Sequence, residues 1–186
     1  MTDGELELMA PESRWIDELL MACHHPLSRQ MDPAIASLTR REVEEILVRA
    51  PGGREMGDPA RHRVRGYLFW MRLKPETAPP VSFAGHLNLR IESTPDVVRY
   101  LGHVGYTVYP PARGRHLSER AVRLVLPLAR RHGLNPLWIT TDPDNIASRR
   151  TCERLGALLV DTVSIPDDHP LHKRGQRFKC RYRIDL

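Results

Sequence analysis

The stretch that decides the fold is YTVYPPARGRHLSERA, Tyr106–Ala121. Its β-branched and aromatic start reads as a buried strand, and Pro110-Pro111 stops it. Arg113-Gly114-Arg115 then turns the chain into a helix whose apolar positions Leu117, Ala121, Leu124, Val125, Leu128 and Ala129 fall on one stripe, ending at Gly133, with a kink expected at Pro127. A strand that leads through a turn into a helix aims the helix's free N–H groups at whatever lies over the turn. With the dipole's positive end and the guanidinium groups of Arg113 and Arg115, that makes a site for a phosphate-bearing ligand.

Working outward, LWITT (Leu137–Thr141) reads as a short buried strand. Asp142-Pro143-Asp144-Asn145 is turn and N-cap chemistry for a helix from about Ile146 to Leu155, closed by Gly156. Ala157–Ile165 and Arg177–Leu186 read as the last strands, joined by the polar loop Pro166–Gln176. Upstream, GHLNLRIE (Gly85–Glu92) alternates cleanly, with Leu87, Leu89 and Ile91 on one face and His86, Asn88 and Arg90 on the other. A turn at Ser93–Asp96 followed by one long strand over Val97–Val108 would bring His86 roughly opposite His103.

GYLFWMRL (Gly66–Leu73) is a further strand, ended by Pro75–Pro80, and Arg54–Arg65 reads as a polar surface loop. Before it, Trp15, Ile16, Leu19, Leu20 and Cys23 recur at helical spacing after Pro11, and that helix ends near His24, His25 and Pro26. Thr39 and Glu42 form a capping box for a second helix through Val43, Ile46 and Leu47, stopped by Pro51-Gly52-Gly53. Leu6–Met9 is a short apolar patch. The element order argues for an α/β sheet with helices on both faces, in one domain spanning residues 1–186.

The chain has 186 residues and a formal charge of +5, which suits an anionic partner, either a phosphorylated cofactor or nucleic acid. The absence of interleaved aromatic and basic residues argues against a nucleic-acid-binding module, which stands as the alternative on charge. Three widely spaced cysteines, Cys23, Cys152 and Cys180, suggest neither a disulfide framework nor a metal site, and point to a reducing cytoplasm. His169, His172 and Cys180 do not have the spacing of a standard zinc site, so no metal is expected. The sequence shows no run of membrane-spanning length, and no membrane partner is expected. GxxxxGK[ST] and GxGxxG are both absent, which removes the usual ATP and NAD fingerprints.

From about Gly85 to Pro166 the chain resembles the GNAT superfamily of acetyl-CoA-dependent N-acetyltransferases, in a branch of predicted acetyltransferases carrying GHxNLR, GHxGY and RYxIDL. Those motifs stand here as GHLNLR, GHVGY and RYRIDL. The superfamily's turn, [Q/R]xxGx[G/A], is similar to RGRHLS, with Arg113 first, His116 at the glycine and Ser118 last. Its NxxS segment is matched by Asn145 and Ser148, with Gly156 downstream. The resemblance implies a mixed, mostly antiparallel central sheet with a splayed strand pair. It also implies acetyl-CoA as acetyl donor, held by Arg113, Gly114, Arg115, His116, Leu117 and Ser118 at the pyrophosphate and by Asn145 and Ser148 along the pantetheine. Tyr106 would offer its N–H to the thioester carbonyl and Val108 would pair the pantetheine arm.

The acceptor implied is a primary amine, on a small molecule or a peptide, that attacks the thioester directly. An acyl-CoA-binding protein without turnover would share the turn, and a homodimer is the commonest default for such a domain. Three positions depart from the family pattern. His116 replaces the turn glycine, Cys152 stands where a tyrosine often acts as general acid, and Gly102 stands where a glutamate often acts as base. His103, with His86 beside it, is then the favoured base because an ordinary histidine titrates near neutrality, and Glu92 is second. A strand histidine is, however, more often a hydrogen-bonded structural group than a base.

Overall fold

The computed structural model describes residues 1–58, 63–76 and 81–186. Its order is β1 (Leu6–Met9), α1 (Ile16–Cys23), α2 (Pro26–Met31), α3 (Pro33–Ala36), α4 (Arg40–Arg49), β2 (Arg54–Asp58), β3 (Arg63–Leu73), β4 (Phe83–Arg90), β5 (Val104–Val108), α5 (Leu117–Arg131), β6 (Leu137–Thr141), α6 (Ile146–Arg154), β7 (Leu158–Ser164), α7 (Pro170–Lys173) and β8 (Phe178–Ile184). The strands form one sheet in the order β1-β3-β4-β5-β6-β8-β7, with β2 pairing β3 beside that path. Every pairing is antiparallel except β5 with β6.

The alternation of β4 sorts the core. Leu87 and Leu89 are fully buried on the face that α5 covers, while His86 and Asn88 face the layer of α1, α3 and α4 through Leu19, Ile35, Val43 and Ile46. The capping box predicted at Thr39 is present, with the Glu42 carboxylate accepting the Thr39 N–H at 2.8 Å and the Thr39 hydroxyl oxygen accepting the Glu42 N–H at 3.3 Å. Helix α5 runs unbroken through Pro127, where a kink was expected.

Three expectations are corrected. Residues 97–108 are not one strand. Val97–Leu101 forms a π-helical turn, opened by a bond from the Val97 N–H to Thr94 Oγ1 at 3.2 Å, and Gly102 then turns with φ 70°. The strand therefore starts only at Val104. Gly102 is required there, since a Cβ would lie 2.9 Å from the Thr140 nitrogen. The longer connection shifts the register, so that His86 pairs with Thr107 and lies away from His103.

The described part of Arg54–Arg65 is strand in β2 and the start of β3, where solvent on both sides leaves polar residues and no alternation to read. Residues 59–62 of that stretch, and 77–80 of the Pro75–Pro80 stop, lie outside the described residues. The polar loop Pro166–Gln176 contains the helical turn α7, N-capped by His169, whose Nδ1 accepts the Leu171 N–H at 3.1 Å.

Candidate active site

Strand β5 builds the site because its two edges differ. Toward β4 it is paired throughout, from Gly85/Val108 to Leu89/Val104. Toward β6 only Val104 and Ile139 are partners. The strands diverge beyond that point and leave a gap at Tyr106 and Val108.

The antiparallel ladder fixes which backbone groups face the gap. His103 accepts the Arg90 N–H at 2.7 Å, and Tyr109 donates to Ala84 at 2.7 Å, so odd-numbered residues of this segment bond β4. Tyr106 and Val108 therefore turn N–H and C=O toward the gap. The Val108 carbonyl is taken by Arg113 Nε at 3.0 Å, which ties the turn to the strand.

Below the gap lies a cleft of about 640 Å³ lined by Tyr106, Val108, Arg113, His116, Ser118 and Ser148 among others. Helix α5 begins there at His116, which is left-handed (φ 54°) and supplies no side-chain cap. It is the one non-glycine with positive φ among the described residues. The conformation that the motif glycine would supply is thus retained by a histidine at a strain cost of roughly 1–2 kcal/mol. The first intrahelical bond runs from the Arg120 N–H to His116 at 3.1 Å, so the N–H groups of Leu117, Ser118 and Glu119 precede it at the positive end of the dipole. Ser118 Oγ lies 3.1 Å from Thr151 Oγ1, which joins the start of α5 to the second half of α6 across the cleft floor.

The two turn arginines separate. Arg113 stays at the cleft, bonded to Val108 and paired with Asp32 at 2.9 Å. Arg115 turns to Glu5 near β1, in a cluster where Arg120 also binds Asp3 and Glu5. The Arg120 guanidinium holds the Asp3 carboxyl down at about 2. The convergence of both guanidinium groups on one ligand is therefore corrected to one. Arg149, Arg150 and Arg154 read from the sequence as a basic helix face, either solvated or set toward a phosphate or an acidic acceptor; of these, Arg150 and Arg154 line the cleft from α6.

Asn145 caps α6, its side-chain oxygen accepting the Ser148 N–H at 3.1 Å, which leaves its amide nitrogen without a hydrogen bond among the described residues. The Tyr106 hydroxyl crosses to α6 and meets Ser148 Oγ at 3.0 Å. Burial pushes that phenol well above its ordinary pKa, so it stays protonated. Cys152 lies beside it, fully buried, with its thiol pushed up to about 12 by burial.

The sequence-predicted bases lie elsewhere. His103 is fully buried; its Nδ1 accepts the Trp138 N–H at 2.9 Å, which places the ring proton on Nε2, 3.1 Å from Ser93 Oγ. Burial, and then the Arg90 charge, lower its pKa to about 4. Both ring nitrogens are engaged, and His103 lines none of the cavities described. Glu92 is paired with Arg65 at 2.5 Å, which lowers its pKa, and it too lies off the cleft. His86 opens on a separate apolar cavity under α1, α3 and α4, and burial brings its pKa to about 4. No group of three or more metal-ligating side chains occurs among the described residues.

A widened parallel strand pair, a helix N-terminus beneath it and a protonated phenol at its rim meet in one cleft. A model of the GNAT acetyltransferase domain matches residues 6–158, and the chain belongs to that family of acetyl-transferring enzymes. The fold is similar to the microcin C7 self-immunity acetyltransferase MccE, solved with acetyl-CoA and AMP (13% identity, 99% of this chain and 94% of that one, TM-score 0.65). It is also similar to a ribosomal-protein-serine acetyltransferase homologue from Vibrio cholerae (14%, 100% and 96%, TM-score 0.66). A third, the ribosomal L7/L12 α-N-protein acetyltransferase RimL in complex with coenzyme A, matches at 16% identity over 100% and 97% with TM-score 0.63. No curated protein matches the sequence. No helix among the described residues is long and apolar enough to cross a membrane.

Proposed function

We propose that this chain transfers the acetyl group of acetyl-CoA to a primary amine. The observation that carries the reading is the gap between β5 and β6, into which Tyr106 and Val108 turn their main-chain groups above an uncapped helix start. In this reading Leu117, Ser118 and Glu119 donate N–H groups to the pyrophosphate. Arg113 and Gly114 shape the turn, while Arg150 and Arg154 face the cofactor's remaining phosphate. Arg115 and His116 act indirectly, the first by anchoring the turn to Glu5 and the second by setting its backbone angle.

The Val108 N–H pairs the pantetheine arm as an added strand, with Asn145 donating from the other side. Tyr106 N–H meets the oxygen on which charge develops during attack; one such donor is commonly worth about 3 kcal/mol of barrier. The amine nitrogen forms the new bond to the acetyl carbon, the C–S bond breaks, and the departing thiolate accepts a hydrogen bond from the Tyr106 hydroxyl, backed by Ser148, and takes up the proton that the new nitrogen sheds. Cys152, whose thiol burial keeps protonated, lies beside Tyr106 at the helix position.

His103 positions the start of β5 through its bond to Trp138 and carries no proton in the cycle. In this reading the acceptor's ammonium proton leaves to water. An amine of pKa about 10.4 is then reactive only in its small neutral fraction. Release of free thiol from acetyl-CoA, measured over a panel of amines and matched alcohols, tests the proposal: amine-dependent release supports it, and release equal to the hydrolytic background with every amine ends it.

A further inference from the structure

Arg90 is a cation that neither the transfer chemistry nor the scaffold uses up. It ends the polar face of β4, and burial pushes its guanidinium below the ordinary value, with the charges of Glu55 and Asp96 partly offsetting that effect. Its Nη1 donates to the carbonyls of Gly102 at 3.1 Å and Leu101 at 3.4 Å, yet the residue makes no ion pair among the described residues. The nearby acids are engaged elsewhere, Asp96 with His169 at 2.8 Å and Glu55 with Arg49 at 3.8 Å. A half-buried guanidinium whose charge is only partly offset by two carboxylates held by other partners gains from an arriving anion.

Its place is informative. Gly105 immediately precedes Tyr106, and a Cβ there would lie 3.2 Å from Asn88 Oδ1 and 3.7 Å from Arg90 Nη1. The missing side chain opens a space between the two polar groups, next to the gap. Asn88 is shared between a mixed-charge cavity of about 510 Å³ that includes Arg90 and an apolar one of about 290 Å³. The apolar cavity is walled by Leu19, Ile35, Val43, Ile46 and Trp70, with His86 and Thr107 at its sheet side. Thr107 also lines the cofactor cleft, so the apolar cavity adjoins the reacting end.

We propose that the acceptor is an α-amino acid with an apolar side chain: its carboxylate on Arg90 beside Asn88, its side chain in the cavity of Leu19, Val43 and Trp70, and its amine at the gap. The inference rests on the acetyl-transfer reading above. The balanced step joins the amino-acid nitrogen to the acetyl carbon and breaks the C–S bond. One ammonium proton has gone to water beforehand, the second leaves the new nitrogen, and the thiolate is protonated, giving the N-acetylamino acid and CoA.

Calorimetric titration of the full chain saturated with CoA tests it, using leucine and phenylalanine against isoamylamine and phenethylamine, which lack only the carboxylate, and against glycine and spermidine. The carboxylated partner of each pair should bind at least about tenfold tighter, the range of one charge-assisted contact. Glycine should fall behind leucine. Arg90→Gln should erase the preference within each pair and Arg90→Lys should keep part of it. Equal affinity within the wild-type pairs, tighter binding of spermidine, or a preference that survives Arg90→Gln would overturn the assignment. Because binding is read without turnover, a carboxylate preference combined with no thiol release would strike the transfer reading, and with it the acceptor role, while leaving the amino-acid-binding site on Arg90 in place.

Discussion

One strand, β5, carries a scaffold on one edge and a site on the other, and the contrast separates what holds the molecule together from what it does. Its β4 edge is paired from Val104 to Val108 and buries Leu87 and Leu89 behind it. Its β6 edge is held only at the start, where the His103 N–H donates to the Trp138 carbonyl at 2.7 Å and Val104 faces Ile139, and is then left open. An unpaired edge inside a sheet forfeits hydrogen bonds each worth about 1 kcal/mol, so it persists where something else takes them up, as Arg113 does for the Val108 carbonyl.

Adjacent residues break the contrast most sharply. Replacing Gly85 by alanine would place a Cβ 2.0 Å from the Thr107 carbonyl oxygen, backbone against backbone. This scaffold-edge change should destabilise by about 3 kcal/mol or more, read as a fall in Tm of at least about 6–12 °C. Next comes a matched pair. Thr107→Pro deletes an N–H on the β4 edge and should unfold the sheet locally, whereas Val108→Pro deletes one on the gap edge and should keep the far-UV spectrum while weakening CoA binding about tenfold. Equal loss of CoA affinity and Tm in both variants would remove the distinction between the edges.

His103 offers a third break, through pH. Its folded pKa, about 4, lies below the value near 6.5 expected for an unfolded chain, so the unfolded state binds more protons between those values. The stability it contributes is fully present above pH 6.5 and is lost as pH falls toward 4. Denaturant melts of His103→Gln should therefore be flatter across that window than those of the wild type. The kcat/KM profile of the variant should keep the wild-type shape, rising toward the amine's own pKa with no inflection between pH 5 and 8. The smallest effect is at His116: glycine there should raise stability by under about 1 kcal/mol and leave CoA affinity unchanged or tighter, while alanine should not.

The strand–turn–helix of residues 104–131 was legible because its signals are local: Pro110 to stop, a turn, then a stripe at helical spacing. The capping box at Thr39 and the N-cap at Asn145 were legible for the same reason. What escaped depended on partners distant in sequence. The π-helical turn at Val97–Leu101 reads as strand by composition, and only the close approach of Gly102 to Thr140 shows why the chain turns there. His103 looked like a base because sequence gives a histidine its ordinary pKa, whereas burial and the Trp138 N–H decide its actual one. Arg115 looked like a phosphate ligand because Glu5, its partner, lies 110 residues away.

The central claim is that the open edge of β5 and the start of α5 receive acetyl-CoA. Isothermal titration of acetyl-CoA into the wild-type chain tests it most directly. The account predicts saturable binding at one molecule per chain, weakened about tenfold in Val108→Pro; no binding heat in the wild type, or identical affinity in the variant, would contradict it.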